Sequence, residues 1–429
     1  MNIYELISGI SDGRFDEQFR RLYGASERAV LKARARYLSA AEKFSVMCPE
    51  CEEIHVYSAP GRTEIGGNHT DHQHGCVLAA AVSLDIIAVV SFHHDGVIRV
   101  HSEGYMADEI DLSSLEVNAA EKGTSAALIR GMAAKFAEMG VKIGGFDAYM
   151  TSEVVSGSGL SSSAAFEILT ATIINEQYNQ GKASAAELAR IGRFAENAYF
   201  GKACGLMDQT VCAEGGAVFI DFAEPDAPKM SSLHFDFDKA GYSVCITDTR
   251  GSHADLSADY DAVAAEMKSV AAAMGCEYLR ECDEERFYEE LPVLRQQCTD
   301  RALLRAAHFF AENSRAAQEA EALTDGDTER FFELVGQSGT SSAELLQNLY
   351  SAGDPQVQPV TLAIMLSKRF LRGAGAVRVH GGGFAGTIQA FVPNYLTTDY
   401  AMEMERIFGA GCCYVLTVRP VGGCELRLD

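Results

Sequence analysis

The stretch GGNHTDHQHG (Gly66 to Gly75) sets His69, Asp71, His72 and His74 within six positions, with glycine at both ends. Those side chains suit a metal cluster, a catalytic loop or a hydrogen-bonded polar turn. Zinc asks for ligands on one face at helical or strand spacing. The interval from His69 to His72 meets that on a helix, but Gly66, Gly67 and Gly75 predict irregular backbone. The residue types therefore point to a hydrogen-bonding site or capped turn rather than a metal site. Arg62 stands just upstream, directly after Pro60-Gly61.

A second constellation, VVSGSGLSSSAAFEIL, has the order of a phosphate cradle: strand, glycines, serines, helix. Gly157 and Gly159 carry no Cβ and let the backbone approach a ligand. Ser161, Ser162 and Ser163 then open a helix whose free N–H groups and dipole favour an anion. Ser163 also offers a hydroxyl to a metal ion. No lysine follows the glycines, so this is not a Walker A loop. GQSGTSSAELLQNLY (Gly336 to Tyr350) has a similar composition but no preceding strand, and reads as a helix break. VHGGGFAGTIQAFV places Gly381, Gly382, Gly383 and Gly386 between two β-rich runs. That is more glycine than a turn requires and predicts close contact with a ligand. Asp208, in ENAYFGKACGLMDQ, is by itself one acid among 60. CPEC (Cys48 to Cys51) is a lone C-x-x-C, and the adjacent Cys412 and Cys413 make a poor second pair for zinc; a surface loop is expected.

These residues need elements to position them. Residues 15–45 read as one helix. IHVYSAP alternates as a strand that Pro60 ends. CVLAAAVSLDIIAVVSF is broken by Asp85 and too short for a membrane span, so two buried strands joined by a turn are expected. IIAVVSFHHDGVIRVH reads as a hairpin around Asp95-Gly96. SAALIRGMAAKFAEMG is a helix stopped by Gly140, FDAYMT a strand, and 161–178 a helix. Ser184 and Glu187 form a capping-box signal, and GGAVFIDF is a further strand. The chain turns polar at 225–241, around Pro225 and Pro228, which divides it into domains at 1–235 and 236–429, with 1–50 a helical extension. The second half opens on the strand YSVCITD and is helical from about 255 to 372. Two strands around the glycine turn follow, then a helix at 398–408 and the strand CYVLTV. Strands early and late with helices between predict an α+β fold.

The formal charge of −24, from 36 basic and 60 acidic residues in 429, excludes nucleic acid and anionic membranes as natural partners. Acidic runs at 277–290 and 319–333 read as solvated helix faces. Twelve scattered cysteines fit thiols kept reduced in a cytoplasm. The N-terminus lacks the basic region of a secretory signal.

Together the motifs resemble those of the galactokinase family, within the GHMP small-molecule kinases, over roughly residues 54 to 420. The family signature G-R-x-N-L-I-G-E-H-x-D-Y is matched by GRTEIGGNHTDH, P-x-G-x-G-L-S-S-S-A by VSGSGLSSSA, G-G-G-F-G-G by GGGFAG and C-G-I-M-D-Q by CGLMDQ. The resemblance implies two domains, the first like ribosomal protein S5 and the second ferredoxin-like, with the active site in the cleft. It implies transfer of phosphate from ATP to the anomeric C1 hydroxyl of a sugar, galactose first, by a monomer or weak homo-oligomer in the cytoplasm. Asp208 would be base or orienter and Arg62 its charged neighbour. Asn68, His69, Asp71 and Tyr260 would face the sugar. Gly157, Ser158, Gly159, Leu160, Ser161, Ser162, Ser163, Gly382 and Gly383 would hold ATP, and Ser163 and Glu196 Mg²⁺. The opening stretch then reads as a sugar clamp. This sequence departs from the family at Asn68 (Glu), Glu64 (Asn), Gly66 (a bulky apolar residue), His72 (Tyr) and Val155 (Pro). Loss of the Glu at 68 leaves room for another sugar, a uronic acid or a pentose. A non-catalytic sugar sensor is the other reading, against which the intact LSSSAA and Asp208 speak. A histidine-based metal hydrolase would leave the glycine motifs unexplained.

Overall fold

The computed structural model describes residues 1–154, 159–202, 204–225, 227–251 and 256–428. Three helices lead: α1 (Ile3–Ser11), α2 (Asp16–Tyr23) and α3 (Glu27–Met47). The single helix expected over 15–45 is two, because Gly24 at φ +97° ends α2 and Ser26 caps α3 by accepting from the Ala29 N–H. Cys48 and Cys51, expected as a loop of free thiols, are joined by a disulfide. Then come β1 (His55–Gly66), β2 (Cys76–His93), β3 (Val97–Ser102), β4 (Asp108–Asp111), α4 (Ser125–Glu138), β5 (Gly145–Ser152), α5 (Ser162–Tyr178), α6 (Ala185–Phe194), α7 (Met207–Glu214), β6 (Ala217–Asp221) and β7 (Lys229–Leu233). The Ser184–Glu187 capping box forms at the start of α6.

The apolar run after Gly75 is one strand, not two. β2 crosses Asp85 without turning, since that buried carboxylate is neutralised in place by Arg36 and Arg419. The first half of β2 pairs with β6 and the second half with β5. β1 also continues through its proline. Pro60 lies opposite Asp85 at a register break, where a missing N–H disturbs no ladder. The Asp95-Gly96 turn forms, yet β2 and β3 do not pair. β5 lies between them, antiparallel to β2 and parallel to β3. An inserted strand bonds on both edges, where a hairpin would leave one edge of each partner open.

The sheet runs β12-β1-β2-β5-β3-β4, with β6 and β7 branching from β2; β12 is Cys424–Leu426. Side chains alternate across it. Val56, Ile87, Val89 and Tyr149 pack with the three N-terminal helices, while Tyr57, Ile86, Ala88 and Met150 pack with α4, α5 and α6.

The second half contributes β8 (Tyr242–Asp248), α8 (Ser257–Ala273), α9 (Glu284–Gln297), α10 (Asp300–Asp325), α11 (Thr328–Ser341), α12 (Pro359–Leu371), β9 (Ala376–His380), β10 (Thr387–Pro393), α13 (Thr397–Phe408) and β11 (Cys413–Leu416). Its antiparallel sheet has the order β11-β8-β10-β9. The fold is α+β, as expected; it is built on two sheets, with the last strand returned to the first. The Gly336 segment is not a helix break. α11 runs through Gly336 and Gly339, because Gly339 lets it close on β9; a Cβ there would sit 3.2 Å from the Val377 carbonyl oxygen. Among the described residues no helix is long and apolar enough to cross a membrane.

Candidate active site

The break in β1 aims its next residues at the start of α5. A Cβ on Gly61 would lie 2.7 Å from the Leu160 carbonyl oxygen, and the Arg62 N–H donates to that carbonyl at 3.0 Å. The Arg62 guanidinium then reaches the Gly159 carbonyl and Asp208, with Nε 2.7 Å from Oδ1. Asp208 sits in the first turn of α7, where the helix dipole favours a carboxylate. Its Oδ2 accepts from the Ser161 hydroxyl. Ser161 itself adopts φ +55° as the N-cap of α5. Burial alone would lower the Arg62 pKa; the Asp208 carboxylate more than offsets this and holds it above the ordinary value.

A cavity of about 330 Å³ opens over this pair. Its wall takes Asn68, His69, Asp71 and His72 from the opening loop, Glu196, Lys202 and Gln209 from the α6–α7 region, and Gly381 and Gly382 from the turn between β9 and β10. The loop is tied at its ends by the Thr70 hydroxyl, 2.9 Å from the Gly67 carbonyl oxygen and 2.6 Å from that of Cys76. His69 Nε2 donates to the Gly382 carbonyl at 3.0 Å. His74 leaves the cavity and stacks on Tyr278, ring centroids 3.7 Å apart. Burial pushes His72 down to about 3 and raises Asp71, against which His69 acts. Among the described residues, no three His, Cys, Asp or Glu of this loop converge as a metal site.

On the phosphate side, Gly157 and Ser158 lie outside the described residues. Gly159 takes φ +74°, and a Cβ there would meet the His380 ring at 3.1 Å. The Leu160 side chain is buried in the core, so it contributes only backbone; Ser162 and Ser163 open α5. His380 bridges Thr63 and Thr387 at 2.9 Å each, and burial followed by the Arg62 charge keeps it well below its ordinary pKa. Glu196 is bonded to Lys202 Nζ and Gln209 Nε2, both at 2.9 Å. Beside it, Glu167 Oε1 is buried with no partner among the described residues, and burial plus the Glu196 charge push Glu167 well above its usual range. Glu196, which already holds a cation in the Lys202 ammonium, and the orphaned Glu167 Oε1 beside it offer oxygens of the kind a hard divalent cation takes.

The glycine turn differs in detail from expectation. A Cβ on Gly382 would lie 2.5 Å from the Tyr260 ring, and one on Gly383 would lie 2.1 Å from the Asn348 carbonyl oxygen. Protein packing therefore demands these glycines, although Gly381 and Gly382 also face the cavity. Tyr260 is not among the described residues of the cavity wall; its hydroxyl donates to the Gly383 carbonyl at 2.9 Å, which supports the turn from behind.

Sequence reading missed the layer beneath the loop. His308, Glu312, Arg315 and Glu319 follow one face of α10 and meet Arg378 of β9 and Ser338 and Ser341 of α11. Their spacing, i, i+4, i+7, i+11, was the available signal: a polar stripe on a helix that elsewhere buries Ala302, Ala306 and Phe309. Two departures from the family motif also meet here, since Asn68 Nδ2 donates to Glu64 Oε1 at 3.0 Å.

Residues 127–216 match the model of the GHMP kinases N terminal domain, and residues 42–92 match the galactokinase galactose-binding signature. The crystal structure of Lactococcus lactis galactokinase complexed with galactose shares the fold with a TM-score of 0.75 at 22% identity, covering 89% of this chain and 98% of that one. Methanococcus jannaschii mevalonate kinase shares it at 0.61 and 14%, covering 85% and 98%. Fold and site define a small-molecule kinase of the GHMP class. In sequence, the galactokinase of Streptomyces coelicolor is 29% identical over 403 residues, 93% of each chain. That of Actinobacillus pleuropneumoniae is 32% identical over 363 residues, 83% of this chain and 89% of its own. The chain belongs to the galactokinase family.

Proposed function

We propose that this protein transfers the γ-phosphoryl group of ATP to the anomeric hydroxyl of galactose, giving galactose 1-phosphate and ADP. The observation that carries this reading is Asp208, clamped by Arg62 and Ser161 where the sugar loop meets the phosphate loop. Arg62 engages Oδ1 through two nitrogens, and Oδ2, which accepts from the Ser161 hydroxyl, keeps a lone pair for an incoming hydroxyl. As the sugar oxygen bonds to phosphorus and the bond to ADP breaks, Asp208 takes the proton and Arg62 offsets the developing charge. Phosphoryl transfer asks mainly for position and charge, and α5 supplies both through its N-terminal N–H groups. Ser163 and Glu196 are the residues that would hold Mg²⁺, which neutralises phosphate charge when bound. With its Nε2–H given to the Gly382 carbonyl, His69 offers Nδ1, and Asp71 its carboxyl group, to sugar hydroxyls.

The test is ADP release from ATP and Mg²⁺ with galactose, glucose, N-acetylgalactosamine, galacturonate, glucuronate and arabinose. Galactose is expected to give turnover, and Asp208→Asn to lower kcat by roughly 10²- to 10⁴-fold. Binding of sugar and ATP without turnover would overturn the enzyme reading in favour of a sensor.

A further inference from the structure

We infer that Cys48, Cys51 and Asp147 form a zinc site when the two cysteines are reduced, and that the ion fastens the end of α3 to β5. None of the three lines the active-site cavity, and the inference stands apart from the kinase reading.

The sequence offered CPEC no second pair of ligands; the fold supplies a third ligand from a distant strand. Among the described residues, one set of three His, Cys, Asp or Glu side chains brings its ligand atoms together. Cys48 Sγ, Cys51 Sγ and an Asp147 carboxylate oxygen all lie within 4.8 Å of one another, and all three residues are half-buried. Local backbone explains the meeting. α3 ends where the Cys48 N–H donates to the Phe44 carbonyl at 2.8 Å, and the Cys51 N–H then donates to the Cys48 carbonyl at 3.3 Å. This turn packs on the apolar cluster that holds Phe44, Val89 and Tyr149. Asp147 precedes Tyr149 by two on β5 and so shares its face.

Two thiolates and a carboxylate are zinc ligands, and the sulfurs disfavour magnesium and calcium. Water can take the fourth position, since the group is only half-buried. The charges nearly balance. Three ligand charges meet the two of zinc, and Arg99 Nη1 lies 3.6 Å from Asp147 Oδ1 while its Nη2 is shared with Asp95 at 2.8 Å. His93 Nε2 is 3.3 Å from Asp147 Oδ2, so the carboxylate is oriented from behind, as ligating carboxylates are. The C-terminal end of α3 also favours a cation.

In the structure the pair is a disulfide. That bond joins residues three apart, so it constrains the unfolded chain little and ties the segment only to itself. An ion shared with Asp147 joins the segment to the sheet. Conversion needs a thiol reductant: two external thiols give their hydrogens to Cys48 and Cys51 and leave as their own disulfide. Zinc then displaces the two thiol protons.

The test uses the full chain, reduced with a phosphine, stripped of metal and titrated with Zn²⁺ against a chromophoric chelator. The wild type is expected to bind one zinc, to melt at a higher temperature with it, and to show thiolate-to-metal bands with Co²⁺. Cys48→Ser/Cys51→Ser should lose all three. Asp147→Asn keeps both thiols and should bind ~10-fold or more weakly; it carries the test if the double variant does not fold. Ten other cysteines are free, so zinc uptake unchanged in the double variant would assign the ion to them and overturn the inference. Equal affinity in Asp147→Asn would also overturn it, as would uptake with no rise in melting temperature. So would a reduced wild type, verified by alkylation of Cys48 and Cys51, that takes up no zinc, or a disulfide that survives excess phosphine.

Discussion

Asp85 and Glu319 are both fully buried carboxylates, and their surroundings treat them in opposite ways. Around Asp85 the positive side is in excess. Arg36 and Arg419 bind it, and Ser58 and Tyr23 donate to it. Burial pushes its pKa up, but the two arginines more than offset this and leave it below the ordinary range. Around Glu319 the acids are in excess. Glu64 and Glu312 share Arg378, and Arg315 turns to Glu312. Neither Glu319 oxygen has a hydrogen-bond partner among the described residues, and burial, then Glu312, push its pKa well up. The first cluster pins the N-terminal helices and the last residues of the chain to β2. The second lies under the Gly66–Gly75 loop. Saturation suits a joint that must not move, and the acid-rich cluster lies under the loop proposed to read the substrate.

The largest effect should come from breaking the saturated cluster. Asp85→Ala removes the carboxylate that buried Arg36 and Arg419 share and is expected to cost about 3–5 kcal/mol in urea unfolding, without raising the galactose KM of the folded protein. Asp85 stability is fully present above its ordinary pKa of 3.8 and is lost as pH falls through the lower folded value, so the wild type should lose this term only under strong acid. Arg378→Met attacks the other cluster. It should cost about 3 kcal/mol and, unlike Asp85→Ala, raise the galactose KM, because Glu64 loses the partner that fixes Asn68. Equal KM values in the two variants would erase the distinction between joint and substrate support. Gly66→Ala is a smaller probe. Its Cβ would collide with Glu319 Oε2, at 1.7 Å, and overpacking should cost about 1–3 kcal/mol. Pairing it with Glu319→Ala should restore most of that loss in a melting experiment.

The parts of this molecule legible in its sequence are those set by local chemistry. The Ser184–Glu187 cap, the Gly140 stop, the α5 start at the serines and the strand–turn–strand at Gly381–Gly383 depend on a few adjacent residues. The meeting of Arg62 with Asp208 entered through resemblance, since spacing alone left Asp208 one acid among 60. What escaped depends on distant partners. β5 enters between β2 and β3 from about fifty residues away. Asp85 looked like a strand breaker because Arg36 and Arg419 are remote in sequence. Glu319 looked solvated because it opens an acidic run, yet it is buried beneath Gly66. Gly339 looked like a break, although it is the place where α11 touches β9.

Glu319→Met gives the finest test of the contrast. A carboxyl whose folded pKa is raised keeps its proton in the folded protein after the unfolded chain has lost it. The wild type should therefore lose stability as pH rises from about 4.5, the ordinary value, toward the raised folded value. Met has a similar length, carries no charge and leaves no orphaned oxygen, so the variant should gain about 1–2 kcal/mol at neutral pH. The gain should vanish below about pH 4.5, where both states of the wild type are protonated. Urea unfolding at pH 4 and pH 7 measures the difference. A gain of equal size at both pH values would make the effect one of packing and remove charge from the account. A loss at pH 7 would mean that Glu319 is held by interactions as favourable as those around Asp85, and the two clusters would no longer differ in kind.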